Sequence, residues 1–165
     1  MPALEPFVRA RCEHYDAAYV SADPAFTHAH ITVLGPFLPE PSAEELARVE
    51  AIVAATPPIV FGLHFPVVFD NGMINLVPEP DAAFRKLTAE VYAAFPQCPP
   101  YGRASGEVTP HLTLDRHSPV VSVESTRRLL GDAVPVSCRA ERVDLAWYQP
   151  HRCRLLTSWP LGSAA

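Results

Sequence analysis

His30-Ile31-Thr32-Val33 returns 81 positions later as His111-Leu112-Thr113-Leu114. Each copy is a histidine, an apolar residue, a threonine and a second apolar residue. In an extended strand residues i and i+2 share a face, so each copy presents an imidazole beside a hydroxyl while its apolar residues turn to the core. Two such strands facing one another would set two imidazoles and two hydroxyls around one small space, a setting suited to a phosphate. With seven histidines and a 48% hydrophobic composition, chance supplies about 0.3 such tetrads, and two or more in about 5% of shuffles. The flanks add weight: the first copy runs into Gly35-Pro36, the second follows Val108-Thr109-Pro110, and both read as strands bounded by breakers.

Outward from the first copy, residues 27–33 are expected as a strand, preceded by a turn over 21–24. Before that, Phe7, Val8, Arg11, Cys12 and Tyr15 recur at helical spacing behind Pro6, which predicts a helix over residues 5–15. After it, Ser42 and Glu45 form a capping box ahead of Leu46, Val49 and Val53, a helix reaching about Ala55 and stopped by Pro57-Pro58. Residues 59–69 and 73–77, split by Asp70-Asn71-Gly72, predict a hairpin. Pro80-Asp81 opens a helix with Phe84, Leu87, Val91 and Phe95 on one stripe. Residues 97–107 read as a loop delivering the chain to a second motif strand over 108–115. A short helix over 123–130 ends at Gly131, and strands follow over 134–139, 142–148 and 153–159.

The elements after the first helix therefore run strand, helix, strand, strand, helix, then strand, helix, strand, strand. Such an echo predicts an α+β fold that is bilobal and pseudo-symmetric. Two antiparallel β-sheet lobes, each contributing one motif strand, would carry outer helices and enclose a central cleft. The chain is expected to be one domain over 1–165, with motif halves at about 1–80 and 81–165.

Composition narrows the partners. The formal net charge is −5, divided as −8 over residues 1–82 and +3 over residues 83–165. Long duplex nucleic acid is held by a broad basic surface, which this chain lacks, so a small anion or the end of a nucleic-acid strand fits better. Without an apolar run of spanning length or a basic-then-apolar leader, no membrane partner is expected, and the expected setting is cytoplasmic and monomeric. Cys12, Cys98, Cys138 and Cys153 show no Cys-x-x-Cys spacing and read as reduced thiols.

The two motifs and the element order resemble the two-histidine (2H) phosphoesterase superfamily, which includes 2′-5′ RNA ligase-like proteins and 2′,3′-cyclic phosphodiesterases. The flanking stretches Ala29 to Phe37 and Pro110 to Arg116 are similar to its actinobacterial-type RNA ligase-like branch. The resemblance implies a bilobal fold, a cleft lined by both motifs and no metal or cofactor. Many members begin directly with a strand, so the N-terminal segment here is a departure.

The chemistry follows from the residues as well. Opening a cyclic phosphodiester needs a base for water and an acid for the departing ribose oxygen, and imidazole serves either role near neutrality. His30 and His111 are the candidate catalytic pair, with Thr32 and Thr113 as donors to the non-bridging oxygens. Arg116, just past Thr113, is a candidate phosphate contact. Tyr101 and Arg103, in the loop entering the second motif, are placed to stack on or steer a base. Phe37 and Tyr148 read first as packing residues that edge the cleft. His28 shares a face with His30 and is expected on the rim.

The expected substrate is a nucleotide or RNA terminus bearing a 2′,3′-cyclic phosphate or a 2′-5′ linkage, and the reverse reaction is an RNA ligation. A different class of protein fits the same residues: a module that binds a nucleotide in the cleft without turning it over. A third, weaker reading is a zinc hydrolase built on His28 and His30, which lacks a third ligand at a usual spacing.

Overall fold

A computed structural model describes residues 1–102 and 108–163. Helix α1 (Glu5–Asp16) begins behind Leu4, with Pro6 in its first turn. Helix α2 (Ala43–Ala55) starts at the expected capping box: Ser42 accepts the Glu45 N–H, and the Glu45 carboxylate accepts the Ser42 N–H. Strands β1 (Ile59–Val68) and β2 (Met73–Glu79) form the expected antiparallel hairpin. Its turn closes with Gly72 at φ 79, a left-handed conformation that a side chain would strain, while Asn71 Oδ1 accepts the Met73 N–H. Helix α3 (Ala82–Ala94) buries Phe84, Leu87, Thr88 and Val91.

Strand β3 (Leu112–Arg116) is followed by α4 (Val123–Leu130), capped by Ser122 and ended by Gly131 at φ 52. Strands β4 (Val136–Ala140), β5 (Arg142–Trp147) and β6 (Arg154–Pro160) complete the order. The fold is α+β, as expected, with one antiparallel sheet ordered β3-β2-β1-β4 and a second made by β5 and β6.

The core forms where the helices cover the sheet. Leu63, Leu76 and Leu112 are fully buried beside Phe61, which meets Phe84 of α3 edge to face at 5.0 Å. Truncating one of these leucines to alanine would cost about 2–5 kcal/mol. Helix α2 packs on α3 and β6, α4 lies against β1, and α1 lies against β3.

Two features depart from expectation. The first motif, placed by the sequence in a strand over 27–33, forms no ladder. Its backbone groups find side chains instead: the N–H groups of His28 and Ala29 donate to Glu5, and the Val33 carbonyl accepts from Thr88 Oγ1. The halves also interleave, because β1 and β2 of the first half pair with β4 and β3 of the second. The segment leading to the first motif docks on the C-terminal hairpin, where Ser21 Oγ donates to the Cys153 carbonyl and the Leu155 N–H donates to Asp23.

No helix among the described residues is long and apolar enough to cross a membrane.

Candidate functional site

The two histidines share one local device. His30 Nδ1–H donates to the carbonyl of His28, and His111 Nδ1–H donates to the carbonyl of Thr109, each two residues upstream and each at 2.7 Å. A proton held on Nδ1 leaves Nε2 unprotonated in the neutral ring, so both rings are fixed in the same tautomer.

Around His30 the support is layered. The Glu5 carboxylate accepts from the His28 N–H at 2.9 Å, from the His28 ring Nδ1–H at 2.8 Å and from the Ala29 N–H at 2.7 Å. The other His28 ring nitrogen, Nε2, accepts the Ser21 N–H at 3.2 Å. His28 is therefore not a rim residue: its ring is buried at 3% exposure and both nitrogens are occupied, so it supports the motif from beneath. With its nitrogens committed, it also contributes no ligand pair with His30. Among the described residues no three His, Cys, Asp or Glu side chains converge as a metal site.

Beyond His30 lies Tyr148, whose ring meets the imidazole at 6.4 Å and the Phe26 ring at 6.2 Å. Burial pushes the Tyr148 phenol up to about 12, with Cys12 and Cys153 adding to the shift, so it stays neutral over the range where histidines titrate. Part of the His30 ring reaches solvent, yet the protein packed around it desolvates the imidazole and holds its pKa below 6.5. That effect outweighs the His28 and Thr27 carbonyls and the Glu5 charge, which favour the cation.

Around His111 the walls are aromatic. Tyr101 stacks on its ring at 5.8 Å with planes 24° apart, and Phe69 meets it edge to face at 5.1 Å. These rings, with the β1–β2 turn and residues Val108 and Thr109, line a pocket of about 480 Å³. A smaller pocket of about 300 Å³ at Pro57, Pro58 and Lys86 contains neither histidine. Tyr101 sits at φ 50, a conformation uncommon outside glycine, and its N–H donates to the Gly35 carbonyl at 2.7 Å. That bond ties the loop before the second motif to the end of the first. Arg103 lies outside the described residues.

Strand register places the remaining candidates. Thr113 pairs with Asn75 and Arg116 with Met73, while Asp115 pairs with Ile74. Directly paired residues project to one face, and Met73 and Asn75 are two apart, so Thr113 and Arg116 share a face. An irregularity at Leu114 makes this possible, since plain alternation would send Thr113 and Arg116 to opposite faces. The sequence did not single out Asn75, which is fully buried and accepts the Thr113 hydroxyl at 3.1 Å while donating to the Met73 carbonyl. An asparagine inside the apolar run Met73 to Val77 was the available signal. Thr32 sits half-buried beside Gly35, and Phe37 packs edge to face on Phe95 at 5.0 Å.

The rest of α1 reaches the second motif. Asp115, fully buried, accepts from Arg11 at 2.8 Å, from the Tyr15 hydroxyl, and from Thr126 of α4 at 3.2 Å. Burial alone would raise the Asp115 pKa, but the Tyr15 and Arg11 hydrogen bonds prevail and hold it below the usual carboxylate value.

A model of the 2′-5′ RNA ligase superfamily matches residues 2–152, and the chain belongs to that family. Among solved structures it is similar to E. coli LigT complexed with 3′-AMP, at 21% identity and a TM-score of 0.53, covering 93% of this chain and 91% of that one. It is similar to LigT complexed with NADP+, at 20% identity and a TM-score of 0.52 over 93% and 90% of the two chains. It also resembles TT0787 of Thermus thermophilus, at 20% identity and a TM-score of 0.54 over 94% and 92%. These likenesses show a common fold. No curated protein sequence matches the chain.

Proposed function

We propose that the protein is a metal-independent phosphoesterase acting on a 2′,3′-cyclic phosphate or a 2′-5′ phosphodiester of a nucleotide or RNA end. The observation that carries this reading is the matched Nδ1–H to carbonyl bond of His30 and His111, which presents two Nε2 atoms for proton transfer. Superfamily membership supports it, as do the nucleotides held by LigT.

In hydrolysis, one neutral imidazole takes a proton from water as the water oxygen bonds to phosphorus. The other, protonated, gives a proton to the ribose oxygen as its bond to phosphorus breaks. Thr32, Thr113 and Arg116 contact the non-bridging oxygens, and the Thr113 hydroxyl turns from Asn75 toward the phosphate to do so. With a 5′-hydroxyl in place of water as the nucleophile, the same residues join ends without ATP. Tyr101 and Phe69 offer faces for a base beside His111.

The test is release of a phosphomonoester from 2′,3′-cyclic nucleotides in EDTA. Calorimetric binding without product over long incubation would favour a binding module instead, and strict need for a divalent cation would defeat the two-histidine mechanism.

A further inference from the structure

Helix α1 lies within the family match, which begins at residue 2, and its side chains touch both motif segments. Glu5, in its first turn, holds the backbone of His28 and Ala29. Six residues on, about 9 Å along the axis, Arg11 bonds Asp115 on the strand that follows His111. Tyr15, one turn beyond Arg11 on the same side, bonds the same carboxylate, and its oxygen accepts the Arg116 N–H at 3.1 Å.

The Glu5 contact has a specific geometry. The Ala29 N–H that donates to Glu5 Oε2 and the His28 carbonyl that accepts from His30 Nδ1 belong to one peptide unit. That unit is planar, with its N–H and carbonyl on opposite edges. A carboxylate on the N–H edge polarises the plane and strengthens the carbonyl as an acceptor. Glu5 thus stands one peptide plane from His30 Nδ1. It also takes the place of a partner strand, since no ladder holds the first motif.

We infer that α1 is a brace setting the two histidine segments in place, with Glu5 the positioning residue for His30 and the Arg11–Tyr15 pair positioning the strand of the second motif. The inference rests on the two-histidine reading above. Burial of the Glu5 carboxyl works against its charge, yet its bonds to Ala29 and His28 hold its pKa below 4.5, so it is an anion across the working range. The titratable groups facing His30 are Glu5 from α1, His28 from its own segment and the neutral Tyr148 beyond β5.

The experiment compares the full chain with Glu5→Gln, which keeps size but removes charge and turns an amide donor toward N–H groups. Two readouts are taken: kcat and KM against pH on a 2′,3′-cyclic nucleotide, and the tautomer and pKa of His30 by ¹⁵N NMR. The expected result is a kcat loss of roughly ten- to a hundredfold with KM little changed. The His30 pKa falls further, and its Nδ1–H tautomer loses its dominance. A folded Glu5→Gln protein with unchanged kcat and an unchanged His30 titration overturns the inference. If that variant does not fold, Glu5→Asp, which keeps the charge on a shorter arm, is read the same way: an unaltered His30 tautomer and kcat overturn the brace, and a partial loss of both supports it. Lack of turnover in the parent, or a full rate in His30→Ala, would defeat the two-histidine reading instead, and the NMR arm still decides the brace.

Discussion

His30 and His111 hold Nδ1 against the carbonyl two residues upstream at the same 2.7 Å, although one sits in an irregular segment and the other at the mouth of a strand. A shared local device in two different backbones points to a shared demand, an unprotonated Nε2. If both rings act in one transition state, His30→Ala and His111→Ala should each reduce kcat/KM by roughly 10²–10⁴, and the double variant should lose far less than the product of the two. Single-turnover kinetics on a cyclic nucleotide measures this, and simple multiplication of the two losses would speak for independent roles.

Thr113 offers a smaller effect. Its hydroxyl is held by Asn75 at 3.1 Å, and the proposed mechanism has it turn to a phosphate oxygen. Thr113→Val should cost about 1–3 kcal/mol of transition-state binding, with Thr113→Ser restoring most of it. Equal rates for Val and wild type would remove Thr113 from the site.

The pH dependence has a direction. Desolvation lowers the His30 pKa below 6.5, so the ring is neutral at pH 7 and suited to be the base for water. A base works only when unprotonated, so the rate rises as pH climbs through that lowered value. The acidic limb of kcat/KM should therefore have its midpoint below 6.5, and His30 followed by NMR should titrate with it. A limb centred above 6.5 would assign the base elsewhere.

Stability should depend on the other end of α1. Arg11→Met leaves the fully buried Asp115 carboxylate short of one partner and should cost about 3 kcal/mol by urea unfolding. Because the folded Asp115 pKa lies below its ordinary value, its contribution is complete above the ordinary carboxylate range and is lost as pH falls through the folded value. Weakening that pair raises the folded value, so the acid-unfolding midpoint should move to higher pH in Arg11→Met. An unchanged midpoint would show that Tyr15 and Thr126 suffice.

The sequence carried most of the elements because their signals are local. The capping box at Ser42, the Asp70-Asn71-Gly72 turn and the α3 stripe each depend on residues within a few positions of one another. The first motif strand failed for the opposite reason: its backbone partner is Glu5, a side chain more than twenty residues upstream that reads locally as an ordinary acidic residue in a helix's first turn. The interleaving of the halves was hidden likewise, since hairpin signals say which neighbours pair but not that β1 also accepts β4. At the site, the repeat revealed both histidines, whereas His28 looked like a surface companion because its alternation with His30 could not show that α1 covers it.

The irregularity at Leu114 works as a charge sorter. Asp115 and Arg116 are adjacent in sequence, and the face on which each lands depends on the count of residues from Thr113. With one extra residue in the strand, the anion goes inward to α1 and α4 while the cation joins Thr113 on the outer face. Plain alternation over the same residues would exchange the two, burying a guanidinium against Arg11 and presenting a carboxylate beside Thr113. The electrostatic polarity of this wall is thus written in the parity of one short strand, and it depends on the irregularity being kept while Leu114 is present.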